Sequence, residues 1–112
     1  MYLSHMDYKA LMVFCACPDQ ESAEHIATHL IENRLAACVN ISSPLKSIYR
    51  WQGEIETADE VMLFIKTSTS SYDKLEHAIL SLHPYELPEV LAVPVDKGQQ
   101  NYLGWITQCT NN

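Results

Sequence analysis

The sequence predicts an α+β fold with the element order β-α-β-β-α-β and a short C-terminal helix. Three observations carry that prediction. Two apolar stripes at helical spacing, Ala23-Ile26-Ala27-Leu30-Ile31 and Tyr72-Leu75-Ile79-Leu82, are separated by segments that favour strands. The run Leu11-Met12-Val13-Phe14 before the first stripe is apolar in succession, the pattern of a strand buried on both faces. Residues 35–67 read as one very long strand that turns at Gln52-Gly53 into another. That hairpin is longer than a domain of 112 residues needs for its own core. The surplus has to be covered, and further copies of the same chain are the economical cover.

Each element has a local reason. Residues 8–15 form a central strand, ended by Pro18-Asp19. Asp19 is a suitable N-cap and Glu21 suits the positive end of the helix dipole in the first turn. Asn33 stops the helix. The second strand runs from Leu35 to Trp51 and is interrupted near Ser42-Ser43-Pro44, where the proline marks a bulge or an edge. Gln52-Gly53 makes a two-residue turn, because glycine accepts the positive φ required there. The third strand spans Glu54 to Thr67, and the turn sets a register with Tyr49 and Trp51 on the face of Glu56 and Glu54. Ser70-Ser71-Tyr72-Asp73 opens the second helix and Pro84 closes it. Residues 89–95 are the last strand, at an edge, where Pro94 loses no ladder bond. Tyr102, Leu103, Trp105 and Ile106 predict the terminal helix. The order is that of a ferredoxin-like sandwich, an antiparallel sheet with helices on one face. Residues 1–7 read as a disordered tail or cloning remnant, and residues 8–112 as a single domain.

Composition narrows the function classes. The net charge is −7, with 14 acidic and 7 basic residues. Such a surface repels phosphate backbones and anionic lipid, so neither nucleic acid nor a membrane is expected as a partner. No apolar run approaches the roughly 20 residues of a membrane span, and no signal peptide is visible. The four cysteines, Cys15, Cys17, Cys38 and Cys109, are therefore expected as reduced thiols in the cytoplasm. Cys15 and Cys17, two apart in a strand, are a poor disulfide pair.

Five blocks then stand in a recognisable order and spacing: Leu35-Ala36-Ala37-Cys38-Val39-Asn40, Ser47-Ile48-Tyr49-Arg50-Trp51, Ile65-Lys66-Thr67, His83-Pro84-Tyr85-Glu86-Leu87-Pro88-Glu89 and Tyr102-Leu103-Gly104-Trp105. Together they resemble the CutA divalent-cation tolerance family over about residues 8–108. The resemblance implies a cytoplasmic homotrimer with PII-like architecture, each subunit ferredoxin-like, linked to tolerance of copper and other divalent metal ions. It also implies copper ligands at the positions of Cys15 and His83. Some relatives carry a second histidine immediately before the latter, where this chain has Leu82.

The candidate metal site is therefore Cys15, His83 and Glu89, with copper or another divalent cation as the ion. Soft thiolates suit Cu(I) and Zn(II). Cys15 reads equally as a small apolar core residue, and Cys17 shares its side of the strand. His83 reads also as a capping residue at a helix end whose dipole favours the protonated ring. Glu89, near the start of the last strand, could complete a Cys/His/Glu set or be a solvated carboxylate. His25 and His29 with Glu21 lie one turn apart on the first helix, opposite the apolar stripe, and read as a solvated face. Tyr49, Trp51, Tyr85, Tyr102 and Trp105 suit subunit contacts, with a ligand-binding cleft between subunits as the alternative, and Cys38 suits the core.

No enzyme is expected. Acylphosphatases of this plan need an anion-cradling loop after the first strand, and residues 16–21 are acidic and free of glycine. An RNA-binding sheet needs a basic surface that is missing here. The alternative to a metal-binding trimer is a PII-like trimer that binds a small ligand for signalling or scaffolding and has no physiological metal site.

Overall fold

The computed structural model describes residues 9–110; the tail expected at residues 1–7, and Tyr8, lie outside the described residues. Within that span eight elements follow in order: β1 (Ala10–Cys17), α1 (Gln20–Glu32), β2 (Cys38–Ile41), β3 (Leu45–Trp51), β4 (Glu54–Ser68), α2 (Tyr72–Leu82), β5 (Leu91–Pro94) and α3 (Gln100–Cys109). The sheet is antiparallel throughout, in the order β2-β4-β1-β5, with β3 also paired to β4. β1 is central, as its apolar run predicts, and β5 with Pro94 is an edge in this chain.

The strand expected over residues 35–51 is two strands. Residues 35–37 stay outside the ladder, and β2 and β3 are separated at residues 42–44. Proline at 44 cannot donate to a ladder, so continuous pairing fails there. Ser42 repairs the break: its N–H donates to the Met62 carbonyl at 2.9 Å, and its Oγ accepts from the Met62 N–H at 2.8 Å. The register beyond the break is the expected one, Tyr49 opposite Glu56 and Trp51 opposite Glu54. Gln52 and Gly53 both have positive φ, 50° and 84°, the conformation of a tight hairpin turn matched to strand twist.

Helix α1 begins where Asp19 caps it, its Oδ1 accepting from the Ser22 N–H at 2.8 Å. That bond keeps the Asp19 carboxyl below its ordinary range. A short 3-10 turn, Thr69–Ser71, leads into α2. The core lies between the sheet and α1 and α2, where Val13, Cys15, Cys17, Ile26, Leu30, Leu63, Ile65, Leu75 and Ile79 are all fully buried. One face of each helix and one face of the sheet close this layer, which places the C-terminal end of β1 under the end of α2.

The β3–β4 hairpin projects from this body. The long axis is 56 Å against 25 and 23 Å for the others, and the radius of gyration is 15.3 Å, above the ~13 Å of a compact chain near 100 residues. Ile48 and Ile55 on the hairpin are 70% and 69% exposed. Leu91 and Val93 on the β5 edge are exposed as well.

Candidate functional site

Three potential donor side chains meet at the C-terminal end of β1. The strand continues through Cys17, so Cys15 and Cys17 project to the same side, into the helix layer. Helix α2 ends at His83, whose backbone N–H closes the last turn on the Ile79 carbonyl at 2.8 Å. Pro84 prevents a further turn, and extended geometry at His83 turns its ring down onto β1. Ligand atoms of Cys15, Cys17 and His83 all lie within 4.8 Å of one another, and all three residues are buried.

Both nitrogens of His83 are engaged. Nε2 lies 2.7 Å from the Ala16 carbonyl, and the Tyr85 N–H donates to Nδ1 at 3.1 Å. A carbonyl can only accept, so Nε2 carries the proton and Nδ1 is the acceptor. The Tyr85 ring packs against the imidazole at 4.7 Å, and its hydroxyl donates to Glu60 Oε2 at 2.6 Å. Glu60 is buried, so this bond satisfies a carboxylate removed from water.

The titration of the group follows from these contacts. The Cys15 thiol is pushed up, first because it serves as a donor to Cys17 and then by burial. Cys17 is held down to about 6 from 9.0, chiefly by the Cys15 thiol, with His83 adding to the effect against burial. Burial alone would lower His83; Cys17 and the Ala16 carbonyl outweigh it and raise it. A Cys17 thiolate is thus favoured near neutral pH, beside a ring that holds its proton more tightly than a free imidazole. Tyr85 is raised by burial and then by Glu60. A raised phenol keeps its contribution to stability below its ordinary value of 10.0 and loses it as pH climbs above that.

Tyr85→Phe removes the donor and leaves Glu60 buried without it. The expected cost is about 1–3 kcal/mol, read as a lower denaturant midpoint at neutral pH. A midpoint unchanged from wild type would show that water replaces the phenol at no cost.

The other candidates are placed differently. Glu89 is half-buried and outside the three-residue group, though its charge acts on Cys15. Cys17, weighed below Cys15 on the sequence, stands inside it; its only sequence signal is the spacing of two. Leu82 packs against the core. His25 is exposed, and His29 Nδ1 lies 3.4 Å from Asn33 Nδ2; neither belongs to a group of three donors among the described residues. Cys38, expected in the core, is half-buried, because β2 is short and its outer side is left uncovered. Its Sγ accepts from Lys66 Nζ at 3.8 Å, and Lys66 also reaches Asn40 Oδ1 at 2.5 Å. Thr67 is buried and donates to the Leu35 carbonyl at 2.7 Å. All four cysteines are free thiols.

The group fits a soft metal ion. Three donors on one ion at about 2.0–2.3 Å stand about 3.3–4.0 Å apart at tetrahedral or trigonal angles. The 4.8 Å envelope therefore has to contract by roughly an ångström at its widest as an ion enters. Two sulfurs and one imidazole in an apolar setting suit Cu(I) or Zn(II) better than a hard cation.

Comparison with known proteins agrees in sequence and in fold. Residues 11–109 match the family model described as CutA1 divalent ion tolerance protein. The divalent-cation tolerance protein CutA of Thermus thermophilus is 46% identical over 99 residues, 88% of this chain and 96% of that protein. Protein CutA of Mus musculus is 44% identical over 99 residues, also 88% of this chain, but this covers only 56% of the mouse protein. The solved structure of the divalent cation tolerance protein (Cut A1) from Thermus thermophilus superposes with a TM-score of 0.89 at 44% identity, covering 91% of this chain and 99% of that one.

Proposed function

The chain belongs to the CutA1 divalent ion tolerance family, and from that premise we propose that it is a non-catalytic, homotrimeric protein that binds copper or another divalent metal ion and takes part in the response to it. The meeting of Cys15, Cys17 and His83 donor atoms within 4.8 Å carries the metal reading. Cys15 and Cys17 supply thiolate, and His83 supplies one imidazole nitrogen after giving up one of its two hydrogen bonds. Glu89 is near enough to act on Cys15 and is the candidate for a fourth donor.

The trimer is supported by the projecting hairpin. Its Ile48 and Ile55 are about 70% exposed and share a face, and β5 offers an unpaired edge. Copies of this chain supply both a matching apolar face and a matching edge. Four free thiols favour a reducing compartment, and we place the protein in the cytoplasm. No helix among the described residues is long and apolar enough to cross a membrane.

Titration of the reduced protein with Zn(II) and, without oxygen, Cu(I) against a chromophoric chelator tests the site. One ion per chain is expected, with uptake lost in His83→Ala. Uptake also depends on pH. Cys17 is a thiolate above about 6 and is protonated as pH falls through that value. His83, raised, holds a competing proton to higher pH than a free imidazole. Affinity should therefore fall roughly tenfold or more per pH unit below about 6. Uptake that ignores pH, or survives His83→Ala intact, would place the ion elsewhere.

A further inference from the structure

The hairpin that suggests self-association has a second face, and that face closes a pocket. Tyr49 and Trp51 on β3 line it with Tyr85, Glu86 and Leu87 from the segment after α2. Its volume is about 170 Å³. Sites for nucleotides and most metabolites begin near roughly 300 Å³, so the occupant is small.

The walls specify its charge. Three of the five lining residues are aromatic and one is a carboxylate. The cross-strand partners of Tyr49 and Trp51 are Glu56 and Glu54, which share their face of the hairpin. Strand alternation sends Lys46 and Arg50 to the opposite face. An anion would meet only carboxylates and the negative faces of the rings. A neutral apolar molecule would gain the rings but nothing from the acids. A small organic cation gains from both.

One wall is fixed in advance. The Tyr85 hydroxyl donates to Glu60 at 2.6 Å and its ring lies against His83 at 4.7 Å. A phenol that donates to a carboxylate has a more electron-rich ring, which strengthens its pull on a cation. The same bond occupies the hydroxyl, so the ring is offered as a face. That suits a cation whose charge is spread over carbon-bound hydrogens better than one that must donate N–H bonds.

We propose that this pocket binds a small alkylammonium ion. The site is distinct from the Cys15/Cys17/His83 group and does not depend on a metal being bound. It leaves the Ile48/Ile55 face of the hairpin for contact between copies, because alternate residues point to opposite sides.

Trp51 is the natural probe. The chain has two tryptophans, so a Trp105→Phe background leaves Trp51 as the only reporter. Tetramethylammonium chloride is titrated into the full chain, with sodium chloride as the ionic-strength control and tert-butyl alcohol as the neutral isostere. The expected result is a saturable change in Trp51 fluorescence for the cation, absent with sodium chloride. The half-saturating concentration should be roughly tenfold lower than for the alcohol. Tyr49→Leu, which keeps an apolar side chain, should raise the cation's half-saturation about three- to tenfold and leave that of the alcohol within twofold. Three results would each overturn the proposal. One is a linear response matching sodium chloride. Another is equal affinity for cation and alcohol. The third is a Trp51 emission that is blue-shifted, shielded from acrylamide and unresponsive to the cation, which would mean that a second copy of the chain fills the pocket.

Discussion

Replacement of Cys15 and Cys17 together by alanine is expected to lower the affinity for Zn(II) or Cu(I) by at least about a hundredfold. Loss of an outer partner that merely orients a ligand already costs about 10–100-fold, and these substitutions remove two of the three donors in the group. Alanine is the informative replacement. Both side chains are fully buried in apolar surroundings, where a serine hydroxyl without a partner costs about 1–3 kcal/mol and would confuse binding with folding. Competition against a chelator of known affinity reads the effect, and a thermal melt of the same sample confirms that the fold survives. The single variants rank the thiols. Cys17 is the one that releases its proton first, and the Cys15 thiol is what chiefly holds it down, so Cys17→Ala should remove that group's contribution to the pH dependence near 6, while Cys15→Ala should move it to higher pH. Equal uptake by the double variant and the wild type would end the reading of this cluster as a metal site.

A second large effect is expected on assembly. Ile48→Glu with Ile55→Glu should convert a stable oligomer into monomers at micromolar concentration. The two isoleucines are about 70% exposed in the single chain. Burying each is worth about 1.5 kcal/mol or more, so losing both weakens each contact by at least about a hundredfold. Added glutamates also make copies repel that already carry a net charge of −7 each. Sedimentation velocity distinguishes the states. The variant's own fold should be intact, since these side chains face away from the core layer. A wild-type chain that sediments as a monomer at the same concentration would remove the need for any cover over the hairpin.

The parts of the molecule legible in the sequence are those set by short-range rules. Asp19 was identifiable as a cap because its side chain acts on an N–H three residues on. Gln52-Gly53 fixed the pairing of Tyr49 with Glu56 because a two-residue turn leaves one register. Pro44 announced the break in the second strand, but that Ser42 would bridge it to Met62 depended on the partner strand. The site divides in the same way. The shared side of Cys15 and Cys17 follows from strand alternation. Their meeting with His83, far along the chain, follows from packing the end of α2 onto β1, and the sequence suggested it only through family resemblance. The bond from Tyr85 to Glu60 gave no signal at all. It joins a loop to a strand 25 residues away, and neither residue has a local feature that requires the other.

His83 is held at both nitrogens, by a carbonyl on β1 and by the amide of Tyr85. Any ligand that takes either nitrogen sets one of those groups loose. If Nε2 is taken, the ring's proton moves to Nδ1 and faces another donor, the Tyr85 amide, which must withdraw. Tyr85 carries the Glu60 contact and one wall of the aromatic pocket, so the disturbance travels toward the hairpin. A buried imidazole with no spare lone pair cannot be a silent receptacle: filling it sends a message along the backbone.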